Sequence, residues 1–212
     1  MEVARLLASA KDAPVVVGLI LIDSPYSQPW REHRDKMVDF TPEFPAGTSE
    51  RVKSAITKRM DVCDQIIDNW NVPSWSDVRP AGFRRLPCLY QPLQGRTQIL
   101  QTTVAESRVS QHARQSDQPA AAVAPPAVLL RATERVPLPS AHPNGLIDVD
   151  LSRESNMLAW DEYPYDFLKA VYDIEGHHFD LFDGDSRLDK ITMFINQACR
   201  KLESKKAFVP TF

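Results

Sequence analysis

Val15 to Pro25, VVVGLILIDSP, is the stretch that decides the fold of this 212-residue chain. A run of Val, Ile and Leu without alternation predicts a strand buried on both faces, as in a parallel sheet. It ends abruptly at Asp23. In open α/β sheets, ligands and reacting groups collect at the carboxyl ends of strands. Asp23 is therefore a candidate acid, with a simpler alternative beside it: Asp23-Ser24-Pro25 is also ordinary turn chemistry that stops a strand.

A second strand is predicted at Ala170 to Glu175, AVYDIE, running into Gly176-His177-His178-Phe179. Strand, glycine, then histidine on a loop is an arrangement that delivers a general base to the same sheet edge. Glu134 follows the apolar run AVLL at Ala127 to Leu130, itself read as a sheet strand, and is a rival acid. Asp148 and Asp150, in LIDVDL at Leu146 to Leu151, are weaker rivals in a short strand or extended segment. His112 reads as solvated and idle.

Between these blocks the sheet pattern lapses for about a hundred residues. Ser49 to Trp70 carries Val52, Ile56, Met60, Cys63, Ile67 and Trp70 at helical spacing, an amphipathic helix capped by Ser49 and followed by Pro73. It is either a lid over the site or a helix that covers core. Asn71 to Leu100 reads as irregular, and residues 106–126 as a flexible linker. Met1 to Ala10 reads as the last turns of a helix, as if the chain were the second half of a larger domain. Ser186 to Glu203 reads as a closing amphipathic helix with Cys199 in its core face. Trp160 and the tyrosines of Asn156 to Phe167 read as packing.

Composition narrows the class further. The chain is 43% hydrophobic and 25% charged with formal net charge -3, and no basic cluster points to nucleic acid. Cys63, Cys88 and Cys199 are odd in number and lack ligand-like spacing, which predicts a reducing, cytoplasmic compartment and no metal. Glu2 and Asp12 interrupt any signal-peptide pattern, and the apolar run is too short to cross a bilayer.

Four blocks, GLILIDSP at Gly18 to Pro25, VLLRATE at Val128 to Glu134, LAWDEY at Leu158 to Tyr163 and EGHHFDLF at Glu175 to Phe182, resemble the C-terminal thioesterase domain of fungal iterative, non-reducing-type polyketide synthases. EVARLL at Glu2 to Leu7 is similar to the helix after that family's nucleophile. The resemblance implies a partial α/β-hydrolase fold: residues 1–26 as core helix and central strand, 27–105 as lid-like insertion, 106–126 as linker, 127–204 as the C-terminal half of the core, and 205–212 as tail. It implies Asp23 as triad acid and His178 as base, with His177 as the alternative. It also implies a phosphopantetheine-linked acyl chain as substrate, an acyl carrier protein or polyketide synthase as partner, and no cofactor.

One departure is large. A nucleophile elbow needs G-x-S-x-G, and the chain contains none; family order places it just ahead of Met1. Loss of such a serine costs on the order of 10⁶-fold in kcat. Three resolutions follow: a truncated or split gene product, a non-catalytic accessory protein of a synthase, or a substitute nucleophile among Ser24, Ser27, Cys63 and Cys88.

Overall fold

The computed structural model describes residues 1–9, 12, 14–26, 37–38, 44–69, 73, 75, 87–100, 123–138, 145–163 and 165–203. In chain order these form α1 (Glu2–Ser9), β1 (Leu19–Ile22), α2 (Glu50–Asn69), β2 (Cys88–Gln91), β3 (Gln98–Leu100), β4 (Ala127–Ala132), β5 (Leu168–Ile174) and α3 (Gly184–Glu203). Short 3-10 turns occur at Asp148–Asp150 and Trp160–Glu162. The five strands make one sheet in the order β1-β4-β5-β2-β3, parallel except for the antiparallel β2–β3 pair. The protein is α/β with a mostly parallel sheet.

β4 and β5 form the centre because their sequences, AVLLRA and LKAVYDI, supply apolar groups to both faces. On one face Ala127, Leu129, Leu168 and Val171 join an aromatic cluster of Tyr26, Trp75, Trp160, Tyr163, Tyr165 and Phe167. Trp75 Nε1 donates to the Tyr163 hydroxyl (2.9 Å), which in turn donates to the Pro73 carbonyl (2.6 Å), so Trp75 and Tyr163 bury their polar ends satisfied. On the other face Val128, Leu130, Ala170, Tyr172 and Ile174 pack with Ile191 and Ala198 of α3. A register shift between Ala127 and Val128 lets β5 change which residues oppose β4.

Several sequence expectations are met in place, others are not. β4, β5, α2 and α3 lie where the patterns predict them, and the Ser49 hydroxyl accepts from the Val52 N–H (3.4 Å) at the start of α2. The strand expected over Val15 to Ile22 is only Leu19–Ile22, half-buried and at the edge of the described sheet; Val15 is 85% exposed. Its pairing begins at Leu19 opposite Ala127, and the residues just before Ala127 are Pro125 and Pro126, which have no N–H to extend the ladder. Asn71 to Leu100, read as irregular, contains the β2–β3 hairpin, with β2 joined to β5. Its strands of four and three residues, set apart by Pro92 and Gly95, are too short for periodicity to reveal. LIDVDL is extended only at its start, where Leu146 bridges Met37, and Asp148–Asp150 turn as 3-10 helix. Along α2 the apolar side chains Val52, Ile56 and Ile66 are exposed rather than pressed on the sheet.

α3 reaches β1 as well. A Cβ at Gly18 would lie 2.7 Å from Leu202 Cδ2, so glycine is what lets the helix close against the entry to β1.

Candidate active site

Asp23 is the first residue after β1 and continues its ladder, donating its N–H to the Leu130 carbonyl (2.7 Å). Its φ of 40° is in the left-handed region, which a short polar side chain tolerates at a cost of roughly 1–3 kcal/mol. The residue is 0% exposed. An isolated buried carboxylate is prohibitive, and this one is held by four hydrogen bonds. Oδ1 accepts from the Ala132 N–H (2.9 Å) and from Arg153 Nη1. Oδ2 accepts from Arg153 Nη2 (2.9 Å) and lies 3.0 Å from His178 Nδ1. The four lone-pair directions of an ionised carboxylate are thereby used.

Burial pushes the Asp23 carboxyl up, but hydrogen bonds from His178 and Arg153, the Arg153 charge and the Ala132 N–H outweigh it, so its pKa lies below the ordinary carboxylate value. Asp23 is thus an anion and can only accept. The His178 Nδ1 that faces it carries the proton, which leaves Nε2 as the basic nitrogen of the neutral ring. Among the described residues Nε2 has no hydrogen-bond partner, while the side chain is 29% exposed. The Phe179 ring stands edge-on to it, centroids 4.9 Å apart.

The loop that presents His178 is fixed from below. Gly176 has φ 113°, and a Cβ there would meet Asp180 Oδ1 at 2.5 Å. Asp180 accepts from the His177 N–H (2.7 Å) and pairs with Arg187 of α3. The His177 ring lies 3.4 Å from the Asp180 carboxylate, so this imidazole faces Asp180 and not Asp23.

Arg153 is the residue that sequence reading missed. It sits in the turn that follows Asp148–Asp150, with a side chain 3% exposed. Nε donates to Asp150 Oδ1 (3.0 Å); beyond their bonds to Asp23, Nη1 donates to the Ala132 carbonyl (2.8 Å) and Nη2 to the Val149 carbonyl (3.1 Å). All five of its N–H groups are engaged. Asp150 is anchored in turn by the Val136 N–H (2.7 Å). The only advance signal was the i, i+3 spacing of Asp150 and Arg153.

A second buried pair braces this turn. Arg131 of β4 pairs with Asp173 of β5 (2.7 Å), and Tyr90 of β2 donates to the same carboxylate (2.8 Å). Arg131 Nη1 also donates to the carbonyls of Arg153 (3.4 Å) and Ser155 (3.2 Å). Burial and the neighbouring Asp173 push the Tyr90 hydroxyl up.

The rival residues fall elsewhere. Glu134 is exposed and Asp148 half-buried, with no bond to the His178 ring, and Asp150 reaches Asp23 only through Arg153. Ser24 turns back to donate to the Ile22 carbonyl (2.9 Å), Cys63 is exposed on α2, and Cys88 is buried at the start of β2. Ser27 and His112 lie outside the described residues. Among the described residues no group of three or more metal-ligating side chains is close enough to hold an ion, and no helix is long and apolar enough to cross a membrane.

The chain is 27% identical to the probable thioesterase lcsE of Purpureocillium lilacinum, over 96% of this chain and 65% of that protein. It is similar to thioesterases. It is also 25% identical to the probable thioesterase KK1J of Curvularia clavata, over 94% of this chain and 64% of that protein. A third relative, thioesterase frbE of Dothideomycetidae sp. (strain 11243), is 25% identical over 95% of this chain and 61% of its own length. This thioesterase-like chain therefore spans less than two thirds of the length of these relatives. No family model and no solved structure matches it.

Proposed function

We propose that this thioesterase-like chain carries the acid and base of an α/β-hydrolase site that releases an acyl chain from a carrier-protein thioester in polyketide biosynthesis. The observation that carries the reading is the 3.0 Å contact between Asp23 Oδ2 and His178 Nδ1, with Nε2 left unpartnered among the described residues. In that chemistry Nε2 takes the proton of a serine hydroxyl, which has to come from an elbow that these 212 residues do not contain, as its oxygen attacks the thioester carbonyl. Asp23 holds the ring in the required tautomer and balances the imidazolium. The carbon–sulfur bond then breaks, the proton passes to the departing thiolate, and water or a hydroxyl or enol of the chain releases the acyl group.

Among the described residues no hydroxyl or thiol is hydrogen-bonded to His178. That observation favours a second reading, in which the chain binds an acyl pantetheine or its carrier without turning it over. Hydrolysis of acyl-N-acetylcysteamine thioesters separates the two. With a serine elbow supplied, the first reading expects turnover that Asp23→Asn lowers by about 10⁴-fold, because the wrong tautomer is then held. Turnover that neither Asp23→Asn nor His178→Ala reduces overturns it, while an inert protein that binds acyl pantetheine supports the second.

A further inference from the structure

Arg153 has no part in the chemistry just described, yet it makes more bonds to Asp23 than His178 does. Burying an arginine beside the carboxylate that an imidazole needs carries an electrostatic penalty: on its own, the guanidinium would cancel the charge of Asp23. Asp150, on the far side of the fork, restores the balance. Two carboxylates and one guanidinium leave the cluster at net minus one, and a protonated His178 brings it to zero. A guanidinium also does what an ammonium cannot. Its two parallel N–H bonds fix the plane of the carboxylate, so that the remaining lone pair of Oδ2 is directed at the His178 ring.

We infer that Arg153 and Asp150 are a positioning pair for Asp23. Arg153 sets the orientation of the carboxylate, while Asp150 locks Arg153 and supplies the net negative charge that stabilises the imidazolium. The inference rests on reading Asp23 and His178 as an acid–base pair. Ala132 ties the arrangement to β4 by donating its N–H to Asp23 and accepting from Arg153. Among the described residues, the other charged groups nearby are committed to one another: His177 and Arg187 to Asp180, and Arg131 to Asp173. Glu134 is exposed.

The test is the proton on His178 Nδ1, observed by NMR in chain with ¹⁵N-labelled histidine. A proton in a charge-assisted bond to Asp23 resonates far downfield, and Asp23→Asn identifies it by its loss. Arg153→Lys keeps the charge and removes the fork; Asp150→Asn keeps the shape and removes the charge. With native amide spectra, both variants are expected to lose this resonance or move it upfield. A natively folded Arg153→Lys that keeps the wild-type resonance overturns the inference. Where Arg153→Lys does not fold, the near-isosteric Asp150→Asn decides in the same way. The readout is a hydrogen bond and not turnover, so it fails separately from the thioesterase reading, which falls if His178→Ala leaves hydrolysis intact.

Discussion

Arg153 and Asp23, 130 positions apart in sequence, meet through both terminal nitrogens of one and both oxygens of the other, with side chains only 3% and 0% exposed. Such a pair is not a simple gain in stability, because removing two charges from water costs about what their attraction returns. Breaking it is another matter. Arg153→Ala leaves Asp23 and Asp150 buried without their shared cation and is expected to lower unfolding stability by about 3–5 kcal/mol. Chemical denaturation beside Arg135→Ala, an exposed arginine paired with Glu154 and expected to cost less than about 1 kcal/mol, checks the difference.

The pH dependence follows from Asp23. Its pKa in the folded chain lies below the ordinary carboxylate value, so the folded state binds fewer protons than the unfolded state as pH falls through that interval. The stability it contributes is fully present above the unfolded carboxylate pKa and is lost on acidification toward the lower folded value. Asp23→Asn removes this contribution, so its stability is expected to decline less steeply over the same acidic range. Denaturation midpoints at stepped pH measure it.

Gly176 is the hinge of the histidine loop. Alanine there faces both a φ of 113° and a collision with Asp180 Oδ1, so Gly176→Ala is expected to cost on the order of 1–3 kcal/mol. It is also expected to weaken the Asp23–His178 contact, which the downfield Nδ1 proton reports. Gly95→Ala, where φ is 106° but no side chain stands in the way, costs backbone strain and leaves that proton unchanged.

What could be read from the sequence, and what could not, follows from the range over which each signal acts. The continuous apolar runs of β4 and β5 and the helical spacing of α2 and α3 are local, and they emerge where the pattern places them. Asp23 and His178 were legible as residues at the ends of strands, although nothing local brings two positions 155 apart to 3.0 Å. Arg153 was not legible because its meaning comes from partners contributed by β1, β4 and the Asp150 turn, none of which marks it in LSRES. The β2–β3 hairpin was hidden by strands too short to show a period. The run Val15 to Gly18 misled because apolar composition does not reveal that Pro125 and Pro126 withhold the N–H groups a longer strand would need.

The core on the α3 side offers a plain packing check. Ile191 is completely buried and Leu188, one turn earlier on the same helix, is 48% exposed, although both fit the apolar spacing. Ile191→Ala is expected to cost about 2–5 kcal/mol. Leu188→Ala should cost clearly less, as thermal or chemical unfolding would show.

The most direct measurement is the rate of acyl-thioester hydrolysis for wild type, His178→Ala and His177→Ala side by side. With the serine elbow supplied, the account predicts that His178→Ala abolishes turnover while His177→Ala, whose imidazole faces Asp180 and not Asp23, retains most of it. Hydrolysis that survives His178→Ala, or that is lost only with His177→Ala, would contradict it.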